Sequence, residues 1–156
     1  MIETDFSLTH PDSLKVSCTI RLPAGKQKLN PIIVGHGFRG FKDWGFFPYL
    51  CKQLSNAGFA VVSFTHALSG ISNNLLEIDD IESFSKNSTT QELLDWRLVM
   101  DNLLWGDFPY IERLRLNALG IVGHSRGGSY GTVSYTHLTL PTNREVKISV
   151  VAVSLK

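Results

Sequence analysis

Residues 119–128 read LGIVGHSRGG. A short apolar run passes directly into a serine that has glycine two positions before it (Gly123) and two after it (Gly127), and Gly128 follows. No other stretch limits the fold as strongly. An apolar run without polar alternation suits a strand buried on both faces, as in a parallel sheet. Such a strand can turn sharply into a helix only if the residues crowding the turn are small, as Gly123 and Gly127 are. The pattern predicts a strand over residues 117–125, a strained turn at Ser125 and a helix after it, with Gly128 allowing helix and strand to pack closely. A G-x-S-x-G match alone says little, since a chain of this length contains one by chance about 5% of the time. Its weight comes from the strand before it and the helix after it.

The rest of the chain has a matching rhythm. Residues 14–22 (LKVSCTIRL) alternate apolar and polar positions and predict a half-exposed antiparallel strand. Residues 31–37 (PIIVGHG) and 59–66 (FAVVSFTH) are further continuous apolar runs and predict buried strands. Between them, Phe47, Leu50, Leu54 and Ala57 fall at helical spacing, with Pro48 in the first turn and Gly58 as the stop. Residues 67–90 are polar and too long for a plain connection, which predicts a short helical turn or a flap. Leu93, Trp96, Met100 and Leu103 then line one face of an amphipathic helix with Thr90 as its N-cap. Strands alternating with helices after an antiparallel start predict an α/β fold, with a mostly parallel sheet and helices on both faces. Ligands bind such sheets at the C-terminal strand ends, where both the His36–Gly37 loop and Ser125 fall.

The 156 residues suffice for one domain with a core. A net charge of +1 gives no sign of a nucleic-acid or membrane-surface partner. The acidic N-terminus lacks a signal-like apolar segment, and no run approaches the ~18 apolar residues of a membrane span, so the expected location is the cytoplasm. Cys18 and Cys51 are expected to be free thiols, buried or half-buried. No metal and no cofactor is called for.

The chemistry follows from the two glycine turns. A serine on a strained turn is a candidate nucleophile, and the tetrahedral oxyanion formed by its attack needs two aimed N–H donors. One donor is expected from the backbone of Arg126, next to the serine. The other is expected from Phe38 in the HGFRG loop (residues 36–40), where Gly37 lets the backbone approach closely. His36 is read as a buried, hydrogen-bonded structural histidine. Arg39 and Lys42 on the same loop could meet an anionic substrate.

PIIVGHGFRGFKDWGFFPYL, FAVVSFTH and LGIVGHSRGG, in that order, resemble an α/β-hydrolase, and most nearly its dienelactone-hydrolase-like or cinnamoyl-esterase-like branch. The resemblance covers about residues 14–131. It implies a serine hydrolase acting on a small-molecule ester or thioester through an acyl-enzyme on Ser125, with a peptidase of the same fold or a non-catalytic binding module as alternatives. It also implies an acid and a histidine later in the chain, in the order Ser, Asp/Glu, His. His10, His36, His66 and His124 precede or adjoin the serine in the wrong order.

Only Glu145 and His137 follow, and both lie in a segment of different character. His137 is twelve positions past Ser125, where the helix after the turn should run. Residues 133–142 (VSYTHLTLPT) can be encoded by GTC TCT TAT ACA CAT CTG ACG CTG CCG ACG, which resembles a transposase-type sequencing-library adapter read in one frame. NRE then stands where a sample barcode would, and VKISVVAVSLK fits the continuing adapter if one base differs at a stop codon. The expectation is therefore residues 1–131 as the N-terminal part of a hydrolase domain and residues 132–156 as a translated adapter. The helix should then break after Gly131, and the chain itself should be inactive.

Overall fold

The structure is a computed structural model that describes residues 1–72, 77–136 and 146–153. His137, Pro141 and Glu145 lie outside the described residues. Six strands form one sheet in the order β1-β2-β4-β3-β5-β6. β1 (Ile2–Thr9) and β2 (Lys15–Leu22) form an antiparallel hairpin, and β2 continues antiparallel to β4 (Ala60–Thr65). From β4 onward the sheet is parallel, through β3 (Pro31–Gly35), β5 (Ala118–His124) and β6 (Lys147–Val153). The fold class expected from the sequence is the one observed. β1 is an addition: in sequence IETDFSLT stands out only as an acidic terminus, yet it pairs with β2 along all eight residues.

Helices cover both faces. α1 (Phe47–Asn56) lays Phe47 and Cys51 over Ile32, Val34 and Val61. On the other face lie α3 (Thr89–Trp105) and α4 (Arg126–Thr136), whose Trp96, Val99, Met100, Leu103 and Tyr130 pack with Cys18, Ile20, Ile33, Val62, Phe64, Leu119 and Ile121. The Trp96 ring meets Phe64 edge-on at 5.0 Å, a contact worth about 1 kcal/mol beyond its buried area. α3 starts earlier than expected, because the Ser88 side chain, not Thr90, accepts from Gln91 N–H as the cap. The polar segment before it holds the short helix α2 (Ile81–Ser85), capped by Asp80. Cys18 and Cys51 are free and buried, and burial pushes their thiols up to about 12 and about 11, so neither is a thiolate at neutral pH.

One expectation about the distal part needs correction. α4 does not break after Gly131 but runs to Thr136. Helix propensity is a weak prior once a helix has been nucleated, and here the Thr132 hydroxyl bonds back to Gly128 O at 2.9 Å while Ser134 is buried. β5 has a neighbour on both sides, since all seven of its residues pair with β6. Its burial nevertheless alternates, unlike the uniformly buried β3 and β4. α1 packs over β2 and β4, and a shallow apolar groove of about 290 Å3 containing Ile32, Gly120, Val122 and Val151 lies on that face beyond it.

One buried charge ties three elements together. Asp95 on α3 has no solvent exposure. Its carboxylate accepts from His10 Nε2 in the β1–β2 turn (2.7 Å), His66 Nδ1 just past β4 (3.0 Å), Ala67 N–H (2.9 Å) and Gln91 Nε2 (2.9 Å). Burial by itself pushes this carboxyl up; the hydrogen bonds, led by that of His66, outweigh it and hold the group below the usual carboxylate range. The linkage sign follows. A carboxyl with a lowered pKa in the folded state contributes fully above its unfolded value near 4 and loses that contribution as pH falls through the folded value. In urea unfolding, the stability advantage of the wild type over Asp95→Asn should be larger at pH 7 than at pH 3. An equal gap at both values would contradict it.

Candidate active site

The connections of the parallel strands diverge between β3 and β5. β3 leads through α1 to β4 on one side, and β5 leads through α4 to β6 on the other. Crevices in open α/β sheets form at such a point, beyond the carboxyl ends of the strands. The register pairs Gly35 with Gly123, so the two strands end level and His36–Gly37 emerges beside His124–Ser125.

Ser125 lies at φ +55°, in the left-handed region, and is exposed. For a residue with a Cβ this costs about 1–2 kcal/mol. The turn is held because Gly128 N–H donates to Ser125 O at 3.1 Å as α4 begins. A Cβ on Gly123 would sit 2.2 Å from Gly128 N and 2.3 Å from Gly128 Cα, and one on Gly127 would sit 2.5 Å from the carbonyl oxygens of Gly35 and His36. The helix therefore starts against the backbone of both β5 and β3, with no room for side chains at these positions.

The second loop is equally constrained. Gly40 N–H closes a turn onto Gly37 O at 3.0 Å, with Arg39 at φ +60°. A Cβ on Gly37 would lie 3.1 Å from Ser125 Cβ and 3.1 Å from His124 O, so this backbone touches the elbow. His36 is buried, as expected, and its Nδ1 donates to the same Gly37 oxygen at 2.8 Å. Its Nε2 accepts from His66 N–H at 3.3 Å. The two bonds place the ring proton on Nδ1, and burial, with the nearby His66, lowers the pKa to about 3, so the ring is neutral. The Gly37 carbonyl and the Phe38 N–H share one planar trans peptide and point in opposite directions, so holding one aims the other.

The Arg126 guanidinium lies over the Phe38 ring at 4.4 Å, linking the two residues expected to supply the oxyanion donors. Phe38 also packs against Phe84 of α2 at 5.8 Å. Beside them a cavity of about 310 Å3 is lined by Phe38, Phe84, Asn87, Ser88, Thr89, Glu92 and Arg126, a mainly polar wall. The other candidates lie elsewhere. His124 packs edge-on against Phe46 and Phe47 of the α1 side. Lys42 is paired with Asp43 and Asp5, and among the described residues Arg39 is the exposed cation of that loop without an ion pair. Among the described residues no histidine or carboxylate bonds to the Ser125 hydroxyl, and no group of three His, Cys, Asp or Glu is placed to hold a metal.

Sequence patterning missed Asp95 and the part played by His66. The available signal was an aspartate directly before the buried Trp96 and a strand ending in histidine.

No family model matches the sequence, and no curated protein matches it. Solved structures do. An esterase of Pyrobaculum calidifontis superposes with a TM-score of 0.65 at 14% identity, over 86% of this chain and 39% of its own. The bacterial brefeldin A esterase gives 0.60 at 15% identity, over 85% and 34%. An α/β hydrolase from Penicillium sp. sh18 gives 0.60 at 16% identity, over 88% and 43%. Against these three the chain spans less than half of the partner's length. No helix among the described residues is long and apolar enough to cross a membrane. The sheet order, the elbow and these superpositions together give the chain the fold of the α/β-hydrolases, over less than half of that fold's length.

Proposed function

We propose that the gene contributing residues 1–131 encodes a serine hydrolase of carboxylic esters or thioesters. The observation that carries this reading is Ser125 at φ +55° on a strand-to-helix turn, with the Gly37 loop packed against it. A serine gains nothing structurally from that conformation, and strain of this kind collects at functional sites. In the proposed reaction the Ser125 oxygen attacks the carbonyl carbon of the substrate while a histidine takes its proton. The N–H groups of Phe38 and Arg126 hold the developing oxyanion. The alcohol or thiol then leaves with a proton from the histidinium, and water releases the acyl group by the reverse sequence. The polar cavity beside Phe38 and Arg126 receives one arm of the substrate.

The histidine and its orienting acid belong to the part of the polypeptide beyond residue 131. Residues 132–156 are adapter-derived in this reading, and the apolar groove beside β5, open among the described residues, is where further elements of the complete fold would pack. A fluorophosphonate should label the complete gene product, and Ser125→Ala should abolish labelling. Labelling that survives the substitution would defeat the proposal. The 156-residue chain should hydrolyse p-nitrophenyl acetate at least about 10^4-fold more slowly than the complete protein, the scale of losing triad members. Comparable turnover that disappears in His137→Ala would overturn the adapter reading.

A further inference from the structure

We propose that Asp95 is a positioning residue for the oxyanion loop, acting through His66 and His36. The inference rests on the reading of Ser125 as the nucleophile and concerns what holds the loop beside it. β3 and β4 are hydrogen-bonded neighbours up to Gly35 and Phe64, and beyond that register the ladder stops. The two chains are then joined by a side chain: His66 N–H donates to His36 Nε2 at 3.3 Å, with the rings edge-to-face at 4.7 Å. His36 passes the constraint on, since its Nδ1–H is one of two donors to the Gly37 carbonyl, whose peptide carries the Phe38 N–H.

His66 needs an anchor of its own, and Asp95 supplies it. One carboxylate oxygen accepts both the His66 ring N–H (3.0 Å) and the next backbone N–H, that of Ala67 (2.9 Å). The other oxygen is occupied by His10 and Gln91, which fixes the carboxylate plane. Asp95 and His66 are buried and the His10 side chain is nearly so, while Ala67 and Gln91 are half-buried. Without the carboxylate, the His66 ring N–H loses its acceptor in the interior, an uncompensated loss, and the half-buried Ala67 N–H loses its acceptor as well. The 66–67 backbone must then move to find others, and the donor to His36 moves with it. Oxyanion geometry tolerates little of this, because a displacement on the order of 1 Å costs on the order of 100-fold in rate.

The experiment uses the complete gene product, with kcat expressed per fluorophosphonate-titratable site so that the folded fraction cancels. Asp95→Leu should lower kcat by about 10- to 100-fold, approaching the loss of one oxyanion donor, with KM within about twofold. Asp95→Asn keeps an oxygen for His66 and Ala67 and should stay within about threefold of wild type in kcat, by the same geometric reasoning. Unchanged kcat per site in Asp95→Leu, with only thermal stability lowered, would overturn the proposal. Should that variant fail to fold, two-bond 1H–15N spectra of the wild-type histidines decide. His36 must carry its proton on Nδ1 and leave Nε2 free, and His66 must carry a proton on Nδ1; a proton on His36 Nε2, or none on His66 Nδ1, breaks the relay. Turnover that survives Ser125→Ala would instead remove the hydrolase reading, and the histidine spectra would still judge the network.

Discussion

Everything near Ser125 depends on backbone meeting backbone where β5 turns into α4. The Gly123 Cα faces the amide of Gly128, and Gly127 lies over the last carbonyls of β3, at separations that leave no room for a methyl group. This contact forces Ser125 into a left-handed conformation and lifts it clear of the sheet. It also brings α4 down between β3 and β5, so that α3, α4 and the sheet share one core around Trp96. The strain of about 1–2 kcal/mol at the serine is small beside the burial that this packing allows.

The second half of the arrangement comes from the sheet. Parallel strands β3, β4 and β5 end level, and their continuations would otherwise separate. The short carboxyl-side loops are held instead by a sequence of polar contacts that begins at a buried carboxylate on α3 and ends at the Gly37 carbonyl. A neutral His36 suits this position because it donates from one nitrogen and accepts at the other, and burial keeps it neutral. Hydrophobic packing sets the strands, and hydrogen bonds set the last few residues beyond them.

Much of this was legible in the sequence, for reasons that can be named. Continuous apolar runs mark parallel strands, so β3 and β4 were visible from residues 31–37 and 59–66, and β5 from residues 117–125 even though one of its faces is only half-buried. The elbow was visible because its crowding admits only glycine at Gly123 and Gly127. Asp95 was not visible, since an aspartate on a helix reads as solvent-facing until tertiary structure supplies four donors. β1 was missed because an edge strand with Glu3 and Asp5 on its pleat resembles a polar terminus. The break expected after Gly131 failed because local preference yields to a helix already under way. The substrate was not legible, because the residues around the 310 Å3 cavity are few and mainly polar and single out no acyl or leaving group.

The central claim is that the first half of the fold prebuilds an oxyanion site from the Phe38 and Arg126 amides around Ser125. A crystal structure of the complete gene product carrying a phosphonate ester on Ser125 tests it directly. The account predicts the phosphonyl oxygen within about 3 Å of both amide nitrogens, the reach of a charge-assisted hydrogen bond. A phosphonyl oxygen turned to solvent, or held by other donors, would contradict it.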